Sequence, residues 1–361
     1  MQRKIKIAQV IGNASLGGVA SCVFNYYKYV DKDKVSFDFF TYGKSGFDEK
    51  IREICPDARI FYIPSLIKFY KSVPALTKIF KAEKYDIVHS HMTTLSYFVL
   101  KAAKKAKIPV RICHSHSAAN KYADHKLIKD ILKRFAPIHA THYMACGNAA
   151  AEYLFGKKSK DCYIMKNAIE PERFSATDSQ KAKNQLGLSG NVAGFIGRFV
   201  YQKNLFFLLD AFALSIKDNK DLTLALVGDG EQKQKLINYA RKMGISSRVK
   251  FFEPTKQPEL FYSAFDCFLL PSKYEGLPVV AIEAQAMGTP CIFSNLITKE
   301  CSFLPENKFL PLDCEKWASE ISKISAKSGN FVDFLQKCGY DIRIEAQKLV
   351  EYYQKISKIG E

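Results

Sequence analysis

The chain has 361 residues, 47% hydrophobic, 25% charged and 13% aromatic; this excludes a disordered, collagenous or disulfide-scaffold protein and leaves room for two domains. Its 54 Lys and Arg exceed 36 Asp and Glu by 18, a balance that favours phosphorylated ligands, nucleic acid or an anionic membrane as partner. The surplus is uneven: residues 1–185 hold 32 basic against 16 acidic side chains, and residues 186–361 hold 22 against 20.

Short apolar runs rich in β-branched and aromatic residues alternate with amphipathic stretches. They predict strands at Ile5–Ile11, Ser36–Thr41, Arg59–Ile63, Asp86–His89, Val110–His114, Tyr143–Cys146 and Cys162–Met165. A second set follows at Val192–Ile196, Thr223–Val227, Val249–Phe252, Cys267–Leu270 and Pro290–Phe293. Helical periodicity fills the gaps, as at Val73–Lys84, Leu205–Ile216, Gln232–Met243 and, last, Ile342–Ile356. Continuous apolar strands between helices imply buried parallel sheets, so the expected class is α/β with two doubly wound domains. The polar stretch Asp178–Asn191, where the strand count restarts, reads as their linker.

Residues 7–27 carry no charge but are broken by Gln9, Gly12, Asn13, Ser15, Gly17 and Gly18; residues 135–151 are broken by Pro137, His139, His142, Gly147 and Asn148. Both are too polar for a span or a signal core, so a cytoplasmic protein without a transmembrane helix is expected. The ten cysteines show no Cys-x-x-Cys pair and read as small core residues.

The loop from Gly12 to Gly17-Gly18 lies between strand one and a helix starting near Val19. It offers glycine backbone and free N–H groups to an anion, and a tight turn without a ligand fits the loop equally well. Gly18 and Val19 stand where a phosphate-binding P-loop needs Lys and Ser or Thr, and the dinucleotide fingerprint is absent. All seven histidines fall between residues 89 and 142. His89-x-His91 and His114-x-His116 each close a strand and could share a sheet face at its carboxyl end. A metal hydrolase would need further ligands downstream, and no histidine follows His142. A single cleft histidine, His116, is the better reading. Asp31-Lys-Asp33 lies in a turn and reads as solvated.

In the second half, Gly197-Arg198 and Lys203 sit at a strand-to-helix junction suited to a pyrophosphate. The run from Pro271 to Pro290 contains Glu275, Gly276, Leu277 and Pro278, with Pro278 as first helical residue, then Glu283 inside the helix. Two carboxylates flanking a helix start can hold polyol hydroxyls beside a phosphate, or serve as a glycosidase acid and base.

Glu275 to Glu283 resembles the E-x7-E pattern of glycosyltransferase family 4, retaining enzymes of the GT-B fold. The order Gly17-Gly18, His-ended strand, Lys166-Asn167-Ala168-Ile169-Glu170, Gly197-Arg198 with Lys203-Asn204, and Gly228-Asp-Gly230-Glu231 is similar as well. The chain looks most like the bacterial exopolysaccharide and capsular polysaccharide branch, over nearly its whole length; Lys166-Asn167-Ala168 departs from the Pro-Asn-Gly of many relatives. The resemblance implies two Rossmann-like domains facing a cleft: residues 1–175 for the acceptor, residues 176–341 for the donor, and residues 342–361 as a terminal helix with the first domain as a surface for it.

It implies further that Arg198 and Lys203 neutralise the diphosphate of a nucleotide sugar, with the backbone of Gly17, Gly18 and Gly276–Pro278. Glu283 would hold the ribose, Glu275 the donor sugar, and His116 the sugar or the reaction centre. No metal or other cofactor is expected, and no nucleophile is named, because front-face attack with the leaving phosphate as base serves a retaining transfer. A UDP-sugar is the expected donor, and a saccharide on a membrane lipid pyrophosphate the expected acceptor. Lys121, Lys126, Lys129, Lys133 and Arg134, on an amphipathic helix over Lys121–Phe135, and the stretch Ile67–Phe80 with Lys68, Lys71 and Lys78 are expected to meet anionic lipid. A GT-B epimerase or hydrolase of nucleotide sugars, a His-x-His metal hydrolase and a nucleic-acid binder are the weaker alternatives; no nucleic-acid recognition motif is present.

Overall fold

A computed structural model describes residues 3–14, 18–117, 126–174, 178–325 and 332–357, with the side chains of 126–129 and 332–333 left out. The chain forms two units. The first comprises residues 1–168 and 339–361, the second residues 169–338.

The first unit is built on seven parallel strands: β1 (Ile5–Gly12), β2 (Val35–Thr41), β3 (Ile60–Tyr62), β4 (Ile87–Ser90), β5 (Val110–Ser115), β6 (His142–Ala145) and β7 (Tyr163–Ile164), in the order β3-β2-β1-β4-β5-β6-β7. β1 pairs on both sides, with Ile7 beside Phe37 of β2 and Ile87 of β4, so its residues from Ile7 to Gly12 are buried. That double burial is why the strand reads as an apolar run rather than an alternation. The terminal helix Ile342–Ser357 belongs to this unit. Its Ile342, Ala346, Leu349, Val350, Tyr353 and Ile356 form a helical stripe in one core with Ala20, Val23 and Tyr27 of the helix Gly18–Tyr29. Each large apolar side chain buried there contributes about 1.5–3 kcal/mol relative to exposure.

The second unit has six parallel strands: β8 (Asn191–Ile196), β9 (Leu222–Val227), β10 (Val249–Phe252), β11 (Cys267–Leu270), β12 (Cys291–Ser294) and β13 (Lys308–Leu310), ordered β10-β9-β8-β11-β12-β13. Both units are therefore doubly wound, and in each the strand order reverses beside the first strand. Ligands of such sheets gather at the carboxyl ends of the strands at that reversal.

Three sequence expectations change. The stretch Asp178–Asn191 is no linker: Asp178 caps the helix Ser179–Leu186 by accepting from Gln180 N and Lys181 N. Its Lys183 is buried, with Nζ donating to Asp266 Oδ2 at 2.7 Å and to Gly190 O at 2.9 Å. The chain instead passes between units at Ala168–Ile169 and returns at Gly339, rather than after residues 175 and 341. β13 was not anticipated, being three residues of an edge strand, Lys-Phe-Leu, without a period to read. Finally, Pro278 caps the helix Val279–Ala286 from outside, with extended backbone (φ −72°, ψ 111°), instead of opening it.

Candidate functional site

In the second unit the loops after β8 and β11, adjacent strands at the order reversal, carry the predicted donor residues. Gly197 and Arg198 directly follow β8, and Arg198 is exposed. A short turn of 3-10 helix, Tyr201–Lys203, leads to Asn204, whose left-handed backbone (φ 58°) starts the helix Leu205–Ser215. Lys203 Nζ reaches Glu275 Oε1 at 2.6 Å, both side chains being largely buried at 13% and 9% exposure. Gln202 completes the junction: its Nε2 donates to Tyr274 O at 2.8 Å and Glu275 Oε2 at 3.2 Å, and its carbonyl accepts from Lys273 N at 2.9 Å. Both oxygens of Glu275 are thus held by the loop that carries Lys203.

The loop after β9 closes on the same junction. Gly228 and Gly230 have φ of +142° and +154°, and a Cβ on Gly228 would stand 2.0 Å from the Gly197 carbonyl oxygen. Phe199 N donates to Asp229 O at 2.8 Å, and Gln232 N to Phe199 O at 3.0 Å. Only glycine permits this backbone-to-backbone approach.

Glu283 lies one turn inside the helix Val279–Ala286 and is half-buried. Tyr262 Oη donates to its Oε2 at 2.9 Å. Burial pushes the Glu283 carboxyl above the usual carboxylate range, opposed by that hydrogen bond and the positive charge of Arg173. Gly276 is half-buried and Leu277 and Pro278 are buried at the helix start.

In the first unit Gly18 is exposed and opens the helix Gly18–Tyr29, and a Cβ there would meet nothing within 4 Å. Gly17 and Lys121 lie outside the described residues, as do the side chains of Lys126 and Lys129. At the reversal beside β1, His89 of β4 and His91 directly after it, and His114 of β5 and His116 directly after it, stack in two pairs, with centroids 4.0 Å apart for His89–His91 and 3.9 Å for His114–His116. Burial pulls His89, His91 and His114 well below the ordinary imidazole range, helped by neighbouring imidazoles, and burial pulls His116 to about 3. All four are neutral near pH 7.

His89, His91 and His114 each offer a nitrogen within 4.8 Å of the others, a metal-like spacing. Yet His89 Nε2 is bonded to His114 Nδ1 at 2.9 Å, His89 Nδ1 to Tyr353 Oη at 2.7 Å, and His91 to Gln9 and His116. A cation would have to break these bonds to find ligands, so the cluster fits a hydrogen-bonded chain better than a metal centre.

The two basic stretches of the first unit are bridged by Tyr97 and Phe98. Exposed Tyr70 packs on Phe69, Phe69 stacks on Phe98 at 5.1 Å, Phe98 contacts Tyr97, and Tyr97 contacts Phe135 at 6.0 Å. Ile67 is 80% exposed, Ile131 59% and Ile138 55%. Lys68, Lys71, Lys78 and Arg134 are exposed, while Lys101 lies over Tyr97 and Lys133 over Tyr153. No helix among the described residues is long and apolar enough to cross a membrane. Asp31, in its turn, accepts from Asp33 N, as a solvated turn would.

Gln202, Tyr262, Gln9 and Tyr353 were not singled out from sequence. Gln202 could have been, as the neighbour of Lys203; the other three meet their partners only through tertiary packing.

Two family descriptions match the chain: "Glycosyltransferase Family 4" over residues 16–173 and "Glycosyl transferases group 1" over residues 176–326. The chain is 31% identical to the Bacillus subtilis protein named glycosyltransferase EpsF, over 96% of each chain. It is 29% identical to an Escherichia coli UDP-Gal:α-D-GlcNAc-diphosphoundecaprenol α-1,3-galactosyltransferase, over 85% of this chain and 83% of that one. It is 25% identical to the capsular polysaccharide biosynthesis glycosyltransferase CapH of Staphylococcus aureus, over 97% and 98%. Among solved structures, Anabaena HepE in complex with UDP and glucose superposes with a TM-score of 0.76 at 19% identity, covering 98% of each chain, a likeness of fold. The chain belongs to glycosyltransferase family 4, with the GT-B fold, in its exopolysaccharide and capsular polysaccharide branch.

Proposed function

We propose that this glycosyltransferase moves a hexose or N-acetylhexosamine from a UDP-sugar, with retention, to a saccharide carried on a lipid pyrophosphate at the membrane. The observation that carries the reading is the contact of Lys203 with Glu275 at the sheet reversal of the second unit, with Arg198 exposed on the same loop. A sugar diphosphate joins polyol hydroxyls to an anion within a few ångströms, and a carboxylate touching an ammonium matches that pair. Arg198 and Lys203 neutralise the diphosphate, the helix start at Gly276–Pro278 offers backbone N–H groups from the residues around Pro278, which has none itself, and Glu275 accepts from sugar hydroxyls. Glu283, held through Oε2 by Tyr262, keeps Oε1 for the ribose.

As the glycosidic bond breaks, negative charge grows on the β-phosphate and the sugar becomes oxocarbenium-like. Cations fixed on that phosphate bind the transition state more tightly than the substrate, which is where rate comes from. The reading asks for no metal, since these side chains supply the positive charge. Attack from the face of the departing phosphate lets that phosphate take the acceptor's proton, so no side-chain nucleophile is assigned. In the first unit, His116 contacts the sugar or the reaction centre, and the glycine loop ending at Gly18 assists the diphosphate.

The first unit takes the acceptor and docks on the anionic inner face of the cell membrane as a cytoplasmic, peripheral protein. Its basic surplus and the aromatic contacts running from Tyr70 to Phe135 support this, since apolar insertion and about 1 kcal/mol per nearby Lys or Arg act together. The E. coli relative named for a diphosphoundecaprenol substrate supports a lipid-linked acceptor.

Thermal shift with a panel of nucleotide sugars tests the donor. A UDP-sugar should stabilise the wild type and fail with Glu275→Ala or Lys203→Ala; equal stabilisation of the variants would refute the site. Co-sedimentation with anionic liposomes tests docking: Lys126/Lys129/Lys133→Glu and Ile67/Phe69→Ser should each release the protein, and undiminished binding in both would sink the membrane reading.

A further inference from the structure

One continuous hydrogen-bonded chain runs through the core of the first unit to His116. His116 Nε2 faces His91 Nδ1 at 2.9 Å, and His91 Nε2 faces Gln9 Oε1 at 2.8 Å. Gln9 Nε2 donates to Tyr353 Oη at 3.3 Å, Tyr353 Oη faces His89 Nδ1 at 2.7 Å, and His89 Nε2 faces His114 Nδ1 at 2.9 Å. Gln9, His89, His91, His114 and Tyr353 are all under 5% exposed, so no bulk water interrupts the chain. Gln9 pairs in register with His89 across β1 and β4, and Tyr353 comes from the terminal helix Ile342–Ser357.

Proton bookkeeping gives this chain a direction. A primary amide is the one link whose two ends differ in kind: its oxygen only accepts and its nitrogen only donates. Gln9 Oε1 therefore requires a proton on His91 Nε2. A neutral imidazole carries one N–H, so His91 Nδ1 is bare and must accept, which requires the proton of His116 to sit on Nε2. On the other side, Gln9 Nε2 donates to one of the two lone pairs of Tyr353 Oη, whose O–H can go to His89 Nδ1 while His89 Nε2 faces His114 Nδ1; this branch does not bear on the tautomer of His116. The chain ends on His114 Nε2, which is buried and has no partner among the described residues.

We propose that Gln9 is a positioning residue that sets the tautomer of His116, holding it as the Nε2–H form so that Nδ1 is presented as a hydrogen-bond acceptor. In this arrangement Tyr353 Oη takes the Gln9 Nε2–H and leaves Oε1 to His91; the opposite amide orientation would reverse every bond and put the proton of His116 on Nδ1, which is the outcome the experiment below distinguishes. On the glycosyltransfer reading, on which this consequence rests, a bare Nδ1 selects a hydroxyl that donates to it. It would reject a bare carbonyl or ether oxygen at the same place. The tautomer itself does not depend on that reading.

The test is NMR on the ligand-free full chain labelled with 15N-histidine, where long-range 1H–15N correlations distinguish the two neutral tautomers. His116 is assigned as the signal lost in His116→Gln. The wild type is expected to show His116 as the Nε2–H form alone; an Nδ1–H form overturns the proposal. Gln9→Met, close to the native side chain in length and volume, should release the constraint and give both tautomers; an unchanged His116 signal would overturn the role of Gln9. Should that variant fail to fold, His91→Leu cuts the same chain one link nearer and carries the same expectation. An even mixture should lower the turnover of the transferase about twofold, in proportion to the competent form. A correct tautomer in a protein with no transferase activity would uphold the relay and count against the transfer reading instead.

Discussion

Replacing Lys203 by Met and Glu275 by Gln, singly and together, separates a binding role of this pair from a structural one. The charges are 2.6 Å apart with side chains 13% and 9% exposed, so removing one leaves the other largely desolvated. Breaking such a pair typically costs 3–5 kcal/mol. Gln202 still donates to Glu275 Oε2 at 3.2 Å, which places Lys203→Met at the lower end, about 3 kcal/mol. For a domain of this size that is a fall in Tm of roughly 6–12 °C for the second unit. In the double variant neither charge is stranded, and the cycle should return a coupling energy of about 2 kcal/mol or more. Activity should behave differently. Each single variant should lose on the order of 10²–10³ in kcat/KM, and the double variant should not recover it, because both the phosphate cation and the sugar acceptor are gone. Calorimetry and a transfer assay on the four proteins decide it. A double variant as active as the wild type would show the pair to be scaffolding and refute the donor-site assignment.

Asp266→Ala should destabilise the second unit by about 3–5 kcal/mol, since it strands buried Lys183 and removes the acceptor of Val192 N, while donor affinity at low temperature stays unchanged; urea titration and ligand binding check both halves. Gly228→Ala should cost roughly 3 kcal/mol and impair donor binding together, because its Cβ would collide with the Gly197 carbonyl at a backbone angle that L-residues avoid; a Tm within 1 °C of wild type, roughly the scatter of such measurements, would contradict this. Glu83 is held at about 2 by hydrogen bonds from Arg59 and Lys6, below its unfolded value near 4.5. Its contribution is present above pH 4.5 and is lost as pH falls towards 2. The stability gap between wild type and Glu83→Gln, on the order of 1–2 kcal/mol after solvent screening, should therefore close across that window in acid denaturation.

The periodic elements were legible because β8, β9 and β11 are buried on both faces and leave unbroken apolar runs, and because the terminal helix repeats its core residues at helical spacing. The misreadings have physical causes too. Asp178–Asn191 is polar enough to pass for a linker, yet its one buried charge is matched by Asp266, more than eighty residues later, a pairing that no local window contains. β13 is too short to show a period. Lys203 and Glu275 were visible as motif members, but their mutual contact depends on β8 and β11 being neighbours. The histidines were visible as two pairs on one face; what joins them, Gln9 from β1 and Tyr353 from the last helix, lies 82 positions before His91 and 264 after His89. Likewise Tyr97 and Phe98 bridge the two basic stretches only because the chain folds back between them.

The most direct measurement is a transfer assay on the purified full chain, offering UDP-sugars one at a time with a synthetic saccharide on a lipid pyrophosphate in anionic vesicles. The product is read by mass and its new linkage by NMR. The account predicts a gain of one sugar residue from a UDP-sugar, joined in the anomeric configuration that the donor carries, without added metal. An inverted linkage, or no mass gain from any UDP-sugar while another nucleotide sugar or a lipid-free acceptor is used, would contradict it.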